Sequence, residues 1–185
     1  DLWDKNKIYA YDIGPGNCLI DEWIRKNSKK KYDKDGLIAK SGKIDELILN
    51  QAIENFTTDY NYEKSLDIKD FDIFFAKGLS LENGAATITN FTAKLISDGM
   101  NFVNGNKWLV CGGGRKNKYL LENIKNNLKE SDINLIDKYE IDGDFIESQA
   151  FAFLAIRSLE GMPISFPSTT RCKESITGGI IVENF

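Results

Sequence analysis

Asp12 lies where an apolar run ends and a glycine-rich turn begins. The run covers residues 8–11, and the turn contains Gly14 and Gly16 on either side of a proline. A carboxylate at the end of a strand in an open α/β sheet faces the crevice in which such folds bind ligands. Glycines beside it let backbone N–H groups approach a phosphate, because no Cβ intervenes. The alternative is a tight turn whose aspartate only caps the next helix, and the spacing alone leaves both interpretations open.

A second glycine-rich turn follows the predicted buried strand 107–111. Its three glycines, 112–114, run towards Asn117, which opens a predicted helix. Free N–H groups and the helix dipole at such a place favour the phosphate or ribose end of a nucleotide. The pattern is not GxGxxG, and no acidic residue follows at the spacing of a dinucleotide-binding ribose contact, so a dinucleotide is disfavoured. A purely structural glycine turn is the alternative.

Glu147 lies in the first turn of the predicted helix 145–159. A glutamate near a helix N-terminus is stabilised by the helix dipole, which is a sufficient structural reason for its presence. A carboxylate in that position could equally accept hydrogen bonds from sugar hydroxyls. The helix is apolar almost all round, which predicts that it is heavily buried.

Composition restricts the chemistry and the partners. The 185 residues include no histidine, so a general base must be Asp, Glu, Lys or Tyr. The net charge of −4 gives no electrostatic reason to expect nucleic acid or an anionic membrane. No apolar run approaches the ~20 residues of a membrane helix. The three cysteines are far apart and lack metal-ligand spacing, which predicts reduced thiols, a cytoplasmic protein and no metal site built from protein side chains.

Strands that alternate with helices indicate a layered α/β fold. The predicted strands cover residues 7–13, 107–111, 133–136 and 177–182. The predicted helices cover 18–26, 45–55, 84–97 and 145–159, with Asn17 and Asn83 as N-caps of the first and third, and 27–42 is predicted to be a loop. Two glycine-rich turns, a long helix between them and no histidine indicate a nucleotide-handling lobe, in which an Asp base suits phosphoryl transfer.

The segment DIGPGNCLIDEW, residues 12–23, resembles the DTGPGN-x-L-x-D-x-W segment of anhydro-N-acetylmuramic acid kinases. Further segments resemble that family in the same order: KSLDIKDF at 64–71, ENGAATITNFTA at 82–93, VCGGGRKN at 110–117 and GDFIESQAFAFLAIRSLEGMPISFPSTT at 143–170. Ordered matches along the whole chain are more specific than any single motif. The resemblance implies an actin-like, ribonuclease H-like two-lobed kinase, of which this chain is the C-terminal lobe, with a mixed sheet flanked by helices.

The family reaction opens the 1,6-anhydro ring of anhydro-N-acetylmuramic acid with a water and phosphorylates O6 with ATP, giving N-acetylmuramic acid 6-phosphate for peptidoglycan recycling. By resemblance, Asp12 is the general base that activates the water. The implied sugar contacts are Glu147, Gly14 and Asn17. The implied contacts to ATP, which brings Mg²⁺, are Gly16, Gly112, Gly113, Gly114 and Asn117.

The resemblance also implies that residues 1–185 form one domain, an incomplete ATPase lobe that is inactive without an N-terminal lobe. The expected partners are the sugar, ATP, that lobe and a second copy of the chain in a homodimer. Ile13, Asn83 and Arg171 depart from the family's usual Thr, Asp and Gly, and because Arg disfavours positive φ we predict a different turn at Arg171. The alternatives are a non-catalytic lobe that binds nucleotide or sugar, and a different sugar or acetate kinase of the superfamily.

Overall fold

The computed structural model describes residues 2–4, 7–56, 66–103, 105–180 and 182. Its helices are α1 Cys18–Asn27, α2 Leu37–Ser41, α3 Glu46–Asn55, α4 Leu81–Phe102, α5 Lys118–Asn127, α6 Ile146–Leu159 and α7 Pro167–Thr170. Its strands are β1 Leu2–Asp4, β2 Lys7–Tyr9, β3 Lys107–Val110 and β4 Asp132–Leu135. Short 3₁₀ turns lie at Lys34–Gly36, Ile68–Asp70, Phe74–Ala76, Gly113–Lys116 and Ile136–Tyr139.

The strands confirm the α/β class and refine the predicted sheet. β1 and β2 pair antiparallel, and β3 and β4 pair parallel on either side of α5. The predicted mixed sheet is therefore found, over the described residues, as two separate two-stranded sheets. The predicted strand 7–13 ends at Tyr9, and β3 is half-exposed along its length rather than buried.

Helix α4 forms the centre of the core. Its side chains are buried on nearly every face, and α1, α2, α3 and α5 pack around it. Gly84 lets α1 approach closely, because a Cβ there would overlap the indole of Trp23. The same indole donates a hydrogen bond from Nε1 to the Leu81 carbonyl at 2.9 Å. Small residues on α4 thus allow the neighbouring helices to pack at short range.

The N-terminus of α4 differs from the prediction. Asn83 does not cap the helix; the cap is Ser80, whose Oγ accepts from the Asn83 N–H at 3.2 Å. Asn83 instead lies in the first turn and accepts from the Lys43 N–H at 2.9 Å. The helix begins earlier because Ser80 supplies an equally good side-chain acceptor three residues upstream.

The prediction of a loop over residues 27–42 is also wrong. Helix α2 occupies its end, and the buried carboxylate of Asp33 accepts from the N–H groups of Ile38 and Ala39 at 2.9 Å each. The helix has only five residues, so it shows no apolar periodicity by which a sequence pattern could reveal it.

Helix α6 is the element whose environment differs most from the prediction made from the sequence. It has the predicted position, but none of its residues is buried. Phe151 and Ile156 are 65% and 57% exposed. Other exposed apolar side chains of this region are Phe145, Phe153 and Leu159. The expectation of a heavily buried helix is therefore wrong for the described part of the chain.

The chain after α6 is mostly irregular. Ser165 and Ile176 form an isolated antiparallel bridge, and residues 177–180 are not a strand, contrary to the prediction for 177–182; residue 181 lies outside the described residues. Arg171 adopts φ 58° and ψ 23°, the left-handed conformation that glycine favours, so the predicted departure of this turn is wrong. Over the described residues, no helix combines the length and the apolar character needed to cross a membrane.

Candidate functional site

Two of the predicted site segments meet through a pair of asparagines. Asn117 is the N-cap of α5, and its Oδ1 accepts from the Leu120 N–H at 3.0 Å. Its Nδ2 donates to the Oδ1 of Asn17 at 3.4 Å. The side chain of Asn17 therefore does not cap α1 as predicted, although that helix begins directly after it. The two glycine-rich turns are brought together although they are about a hundred residues apart in the chain.

The glycines of the second turn present an open backbone surface. Gly112 adopts φ 72° and ψ −175°, and the chain then forms the 3₁₀ turn Gly113–Lys116 before α5. A Cβ added at Gly112, Gly113 or Gly114 would meet no atom of the described residues within 4 Å. These residues do not run directly into the helix, because the 3₁₀ turn intervenes. The space beside their backbone is free for a ligand, which is the condition for a phosphate or ribose to approach closely.

Glu147 lies beside this surface. Gly112, Gly113 and Glu147 line an open cavity of about 340 Å³, together with Cys111, Gly143, Asp144, Ile146 and Ala150. The N–H of Gly112 donates to the Gly143 carbonyl at 3.1 Å, which joins the glycine turn to the loop that leads into α6. The cavity thus combines an open glycine backbone with the exposed carboxylate of Glu147.

Arg115 is buried beneath the glycine turn. Its guanidinium donates to the carboxylate of Asp137 at 2.8 and 3.1 Å, to Asp144 at 2.6 Å and to the Gly112 carbonyl at 3.0 Å. Asp142 lies 3.5 Å away. We call these four side chains, Arg115, Asp137, Asp142 and Asp144, the Arg115 cluster. The predictions from sequence missed it; three aspartates within eight residues were the only signal.

Arg115, Asp137 and Asp144 of this cluster have shifted pKa values. The hydrogen bonds that Arg115 donates to Asp137 and Asp144 raise the pKa of Arg115 above its usual range. Hydrogen bonding to Arg115 lowers the pKa of Asp137, and hydrogen bonds from Arg115 and Lys116 lower the pKa of Asp144 to about 2. Asp144 therefore stays ionised and paired with two cations, so its charge does not dominate the cavity. An anionic ligand meets less repulsion there than the bare carboxylates suggest.

The first glycine-rich turn lies next to α4. Asp12 is exposed and follows β2 by three residues. A Cβ at Gly14 would come 3.0 Å from Ile96 Cγ1, so close packing on α4 is a structural reason for glycine there. Gly16 adopts φ 57° with open space around it. Asp12, Gly14 and Gly16 do not line the Glu147 cavity as described, so their roles stay predictions.

The described residues contain no group of three or more Cys, Asp or Glu side chains arranged to hold a metal ion. Cys18, Cys111 and Cys172 are free thiols, and burial raises the pKa of Cys18. A magnesium ion delivered with a nucleotide fits this arrangement, because Mg²⁺ keeps waters and takes phosphate oxygens as ligands.

The fold and the site define an α/β protein in which two glycine-rich turns lie close together and the second shares an open cavity with a carboxylate. The family described as anhydro-N-acetylmuramic acid kinase matches residues 2–184. The chain belongs to that family.

Curated relatives named anhydro-N-acetylmuramic acid kinase support the assignment. The protein from Pelagibacter ubique is 50% identical over 186 residues, which cover 96% of this chain and 50% of the relative. The protein from Methylorubrum populi is 38% identical over 95% of this chain and 47% of its own length. The protein from Rhodospirillum rubrum is 38% identical over 92% and 46%. The chain spans about half the length of the curated relatives it matches.

Proposed function

We propose that this chain is the ATP-binding, C-terminal lobe of an anhydro-N-acetylmuramic acid kinase. The whole enzyme would phosphorylate O6 of 1,6-anhydro-N-acetylmuramic acid and open its anhydro ring with a water, giving N-acetylmuramic acid 6-phosphate for cell-wall recycling. The observation that carries the proposal is the contact between Asn17 and Asn117, which joins the two glycine-rich turns beside an open glycine backbone. Family membership supports the same reaction.

The second turn is the proposed nucleotide site. Gly112, Gly113 and Gly114 leave room for the adenosine end of ATP, and Asn117 and Gly16 complete the contacts. Asn117 Oδ1 already accepts a hydrogen bond from the Leu120 N–H, so the orientation of the side-chain amide is fixed. Asn117 would therefore stabilise the turn as well as contact the ligand. Magnesium bound to the phosphates would neutralise their charge.

Asp12 is the proposed general base. The chain has no histidine, and an exposed carboxylate three residues after β2 can take a proton from a water held against the sugar. Glu147 would accept hydrogen bonds from sugar hydroxyls, since it is exposed beside the glycine surface. Gly14 and Asn17 would complete the sugar site by bringing the backbone and an amide near it.

The exposed apolar surface of α6 supports a larger assembly. Half of the length of the relatives lies outside the match, and we propose that an N-terminal lobe together with further chain covers Phe151 and Ile156. A second copy of the chain is the other candidate, and sedimentation of the 185-residue chain distinguishes them, because only a homodimer would form from this chain alone.

Three free thiols agree with a reducing cytoplasm.

Gly113→Ala tests the nucleotide site with little effect on folding. Gly113 has no positive φ, and an added Cβ would have no neighbour within 4 Å in the described part of the chain, so the free energy of unfolding should not change. A methyl group that meets the nucleotide should weaken Mg-ATP binding about tenfold, or about 1.4 kcal/mol, in a calorimetric titration. The control is Gly78→Ala, where φ is 95° far from the site in sequence; it should destabilise the fold and leave affinity unchanged. Unaltered affinity in Gly113→Ala contradicts the proposed site.

Asp12→Asn tests the chemistry in the complete protein that contains this chain. Loss of a positioned base should lower kcat by about 10²–10⁴-fold with little change in sugar affinity. A complete protein that binds Mg-ATP and sugar without turnover would instead favour a non-catalytic binding lobe. Turnover of another sugar or of acetate, but not of the anhydro sugar, would favour a different kinase of the superfamily.

A further inference from the structure

Arg115 connects the two parts of the cavity. Its guanidinium reaches the Gly112 carbonyl at 3.0 Å. The same group reaches Asp137, in the 3₁₀ turn Ile136–Tyr139, and Asp144, in the loop before α6. Asp144 is followed after one residue by α6, whose first turn carries Glu147. One side chain therefore contacts both the proposed nucleotide surface and the segment that places the proposed sugar ligand.

The packing around this guanidinium leaves little freedom. A Cβ at Gly143 would overlap the Arg115 side chain, so the backbone of the loop lies directly against it. The N–H of Gly112 donates to the carbonyl of the same Gly143 at 3.1 Å. Arg115 is only 7% exposed, and a buried charge with several charge-assisted hydrogen bonds holds its partners in one geometry.

Packing against the described part of the chain does not fix the position of Glu147, because it buries none of the residues of α6. In contrast, the segment that leads into the N-terminus of α6 is held by the Arg115 cluster. We propose that Arg115 is a positioning residue that sets the separation between the Gly112–Gly113 backbone and Glu147. The significance of that separation for catalysis rests on the proposed function, but the geometry itself can be measured without any ligand.

The chemistry of the side chain explains why arginine is needed. Its planar fork donates to two carboxylates and a carbonyl at once, whereas an ammonium is a compact point charge. Lys116 illustrates the difference, because it is exposed and, among the described residues, forms an ion pair with Asp144 alone, at 2.5 Å. Arg115→Lys should therefore preserve the charge and lose part of the positioning, and Lys116→Ala should lose one ion pair and keep the positioning.

The test uses Cys111, which directly precedes the glycine turn, and a second thiol introduced by Ala150→Cys on α6; both positions line the cavity. In the 185-residue chain, Cys18→Ala and Cys172→Ser remove the other thiols. A short, rigid bis-maleimide then reports how often the two thiols come within the span of the reagent. Arg115→Ala should slow intramolecular cross-linking about tenfold, because the effective concentration of one thiol at the other falls as α6 gains freedom.

The controls separate positioning from folding. Lys116→Ala should cross-link at the unmodified rate, and Arg115→Lys at an intermediate rate. Asp137→Asn and Asp144→Asn added to Arg115→Ala remove the repulsion among unpaired carboxylates, so a rate that stays low in this combination is due to the lost arginine. Circular dichroism of each variant verifies that α4 and its neighbours remain folded.

Equal cross-linking rates in folded Arg115→Ala and in the unmodified chain would overturn the inference. The proposed function fails separately, if the unmodified chain shows no affinity for Mg-ATP while the cross-linking rate still depends on Arg115. In the complete enzyme, a positioning role predicts that Arg115→Ala lowers kcat more than it raises the KM for ATP, since each ligand site persists while their relative placement is lost.

Discussion

Helices α4 and α6 are both rich in apolar residues, but they have opposite environments. α4 is buried on nearly every face by four other helices, whereas no residue of α6 is buried in the described part of the chain. The difference lies in the neighbours. α4 carries small residues such as Gly84 that admit Trp23 at close range, and its partners are encoded nearby. Apolar composition thus shows that a helix requires a partner without identifying which part of the molecule supplies it.

The two helices are also held by different interactions. Removal of apolar surface from water stabilises α4 at every turn, at about 25 cal/mol per Å² buried. The segment that leads into α6 is held by the charges of the Arg115 cluster. The C-terminal half of α6 is held by polar contacts, such as the hydrogen bond that Arg157 Nε–H donates to the Pro163 carbonyl at 2.7 Å. Mutations and pH should therefore act differently on the two regions.

The largest expected difference comes from the same substitution in both helices. Ile88 is fully buried in α4, and Ile156 is 57% exposed in α6. Ile88→Ala should lower the free energy of unfolding by about 2–5 kcal/mol, because it removes buried methyl groups and leaves a cavity. Ile156→Ala should lower it by less than about 0.5 kcal/mol in the 185-residue chain. Urea denaturation of both variants measures the difference.

A comparable loss in the two variants would show that α6 is packed in solution and would remove the contrast. The same two variants extend the comparison of α4 with α6 when they are made in a complete protein. There, a larger cost of Ile156→Ala than in the 185-residue chain would indicate that further chain covers α6.

Acid should release α6 before α4. The pKa values of Asp137 and Asp144 are lowered in the fold, the latter from 3.8 to about 2, so their ion pairs stabilise the folded state at any pH above the ordinary value. That contribution is lost as pH falls from about 4 through about 2. NMR amide signals of α6 should shift or broaden over this range while those of α4 persist.

Asp144→Asn should weaken the acid response of α6, because the substituted side chain does not titrate. The matched control is Asp98→Asn, which removes an exposed pair with Lys94 on α4, 2.6 Å apart, and should leave the response intact. Simultaneous loss of α4 and α6 signals would argue against independent attachment of the two helices.

Two features encoded by neighbouring residues were predictable. Asn117 caps α5 as expected because its side chain reaches an N–H three residues away, and the glycine turn at 112–114 could be recognised from composition alone. The Arg115 cluster was not, since its ion pairs join residues 22 and 29 positions apart. The exposure of α6 was not predictable either, because burial depends on partners that a local pattern does not contain.

The smallest expected effect concerns the turn that ends α7. Arg171 adopts φ 58°, which costs an L-residue about 1–2 kcal/mol, whereas glycine adopts it freely but loses more chain entropy on folding. Arg171→Gly should therefore stabilise by only about 0.5 kcal/mol. Arg171→Asn tolerates the left-handed region without that entropy cost and should gain as well. Arg171→Ala does not relieve the backbone strain, so its effect measures the contribution of the contacts of the arginine side chain. Hydrogen exchange should detect the gain near α7 with no change in α4, and a loss in both Gly and Asn variants would mean that those contacts outweigh the backbone strain.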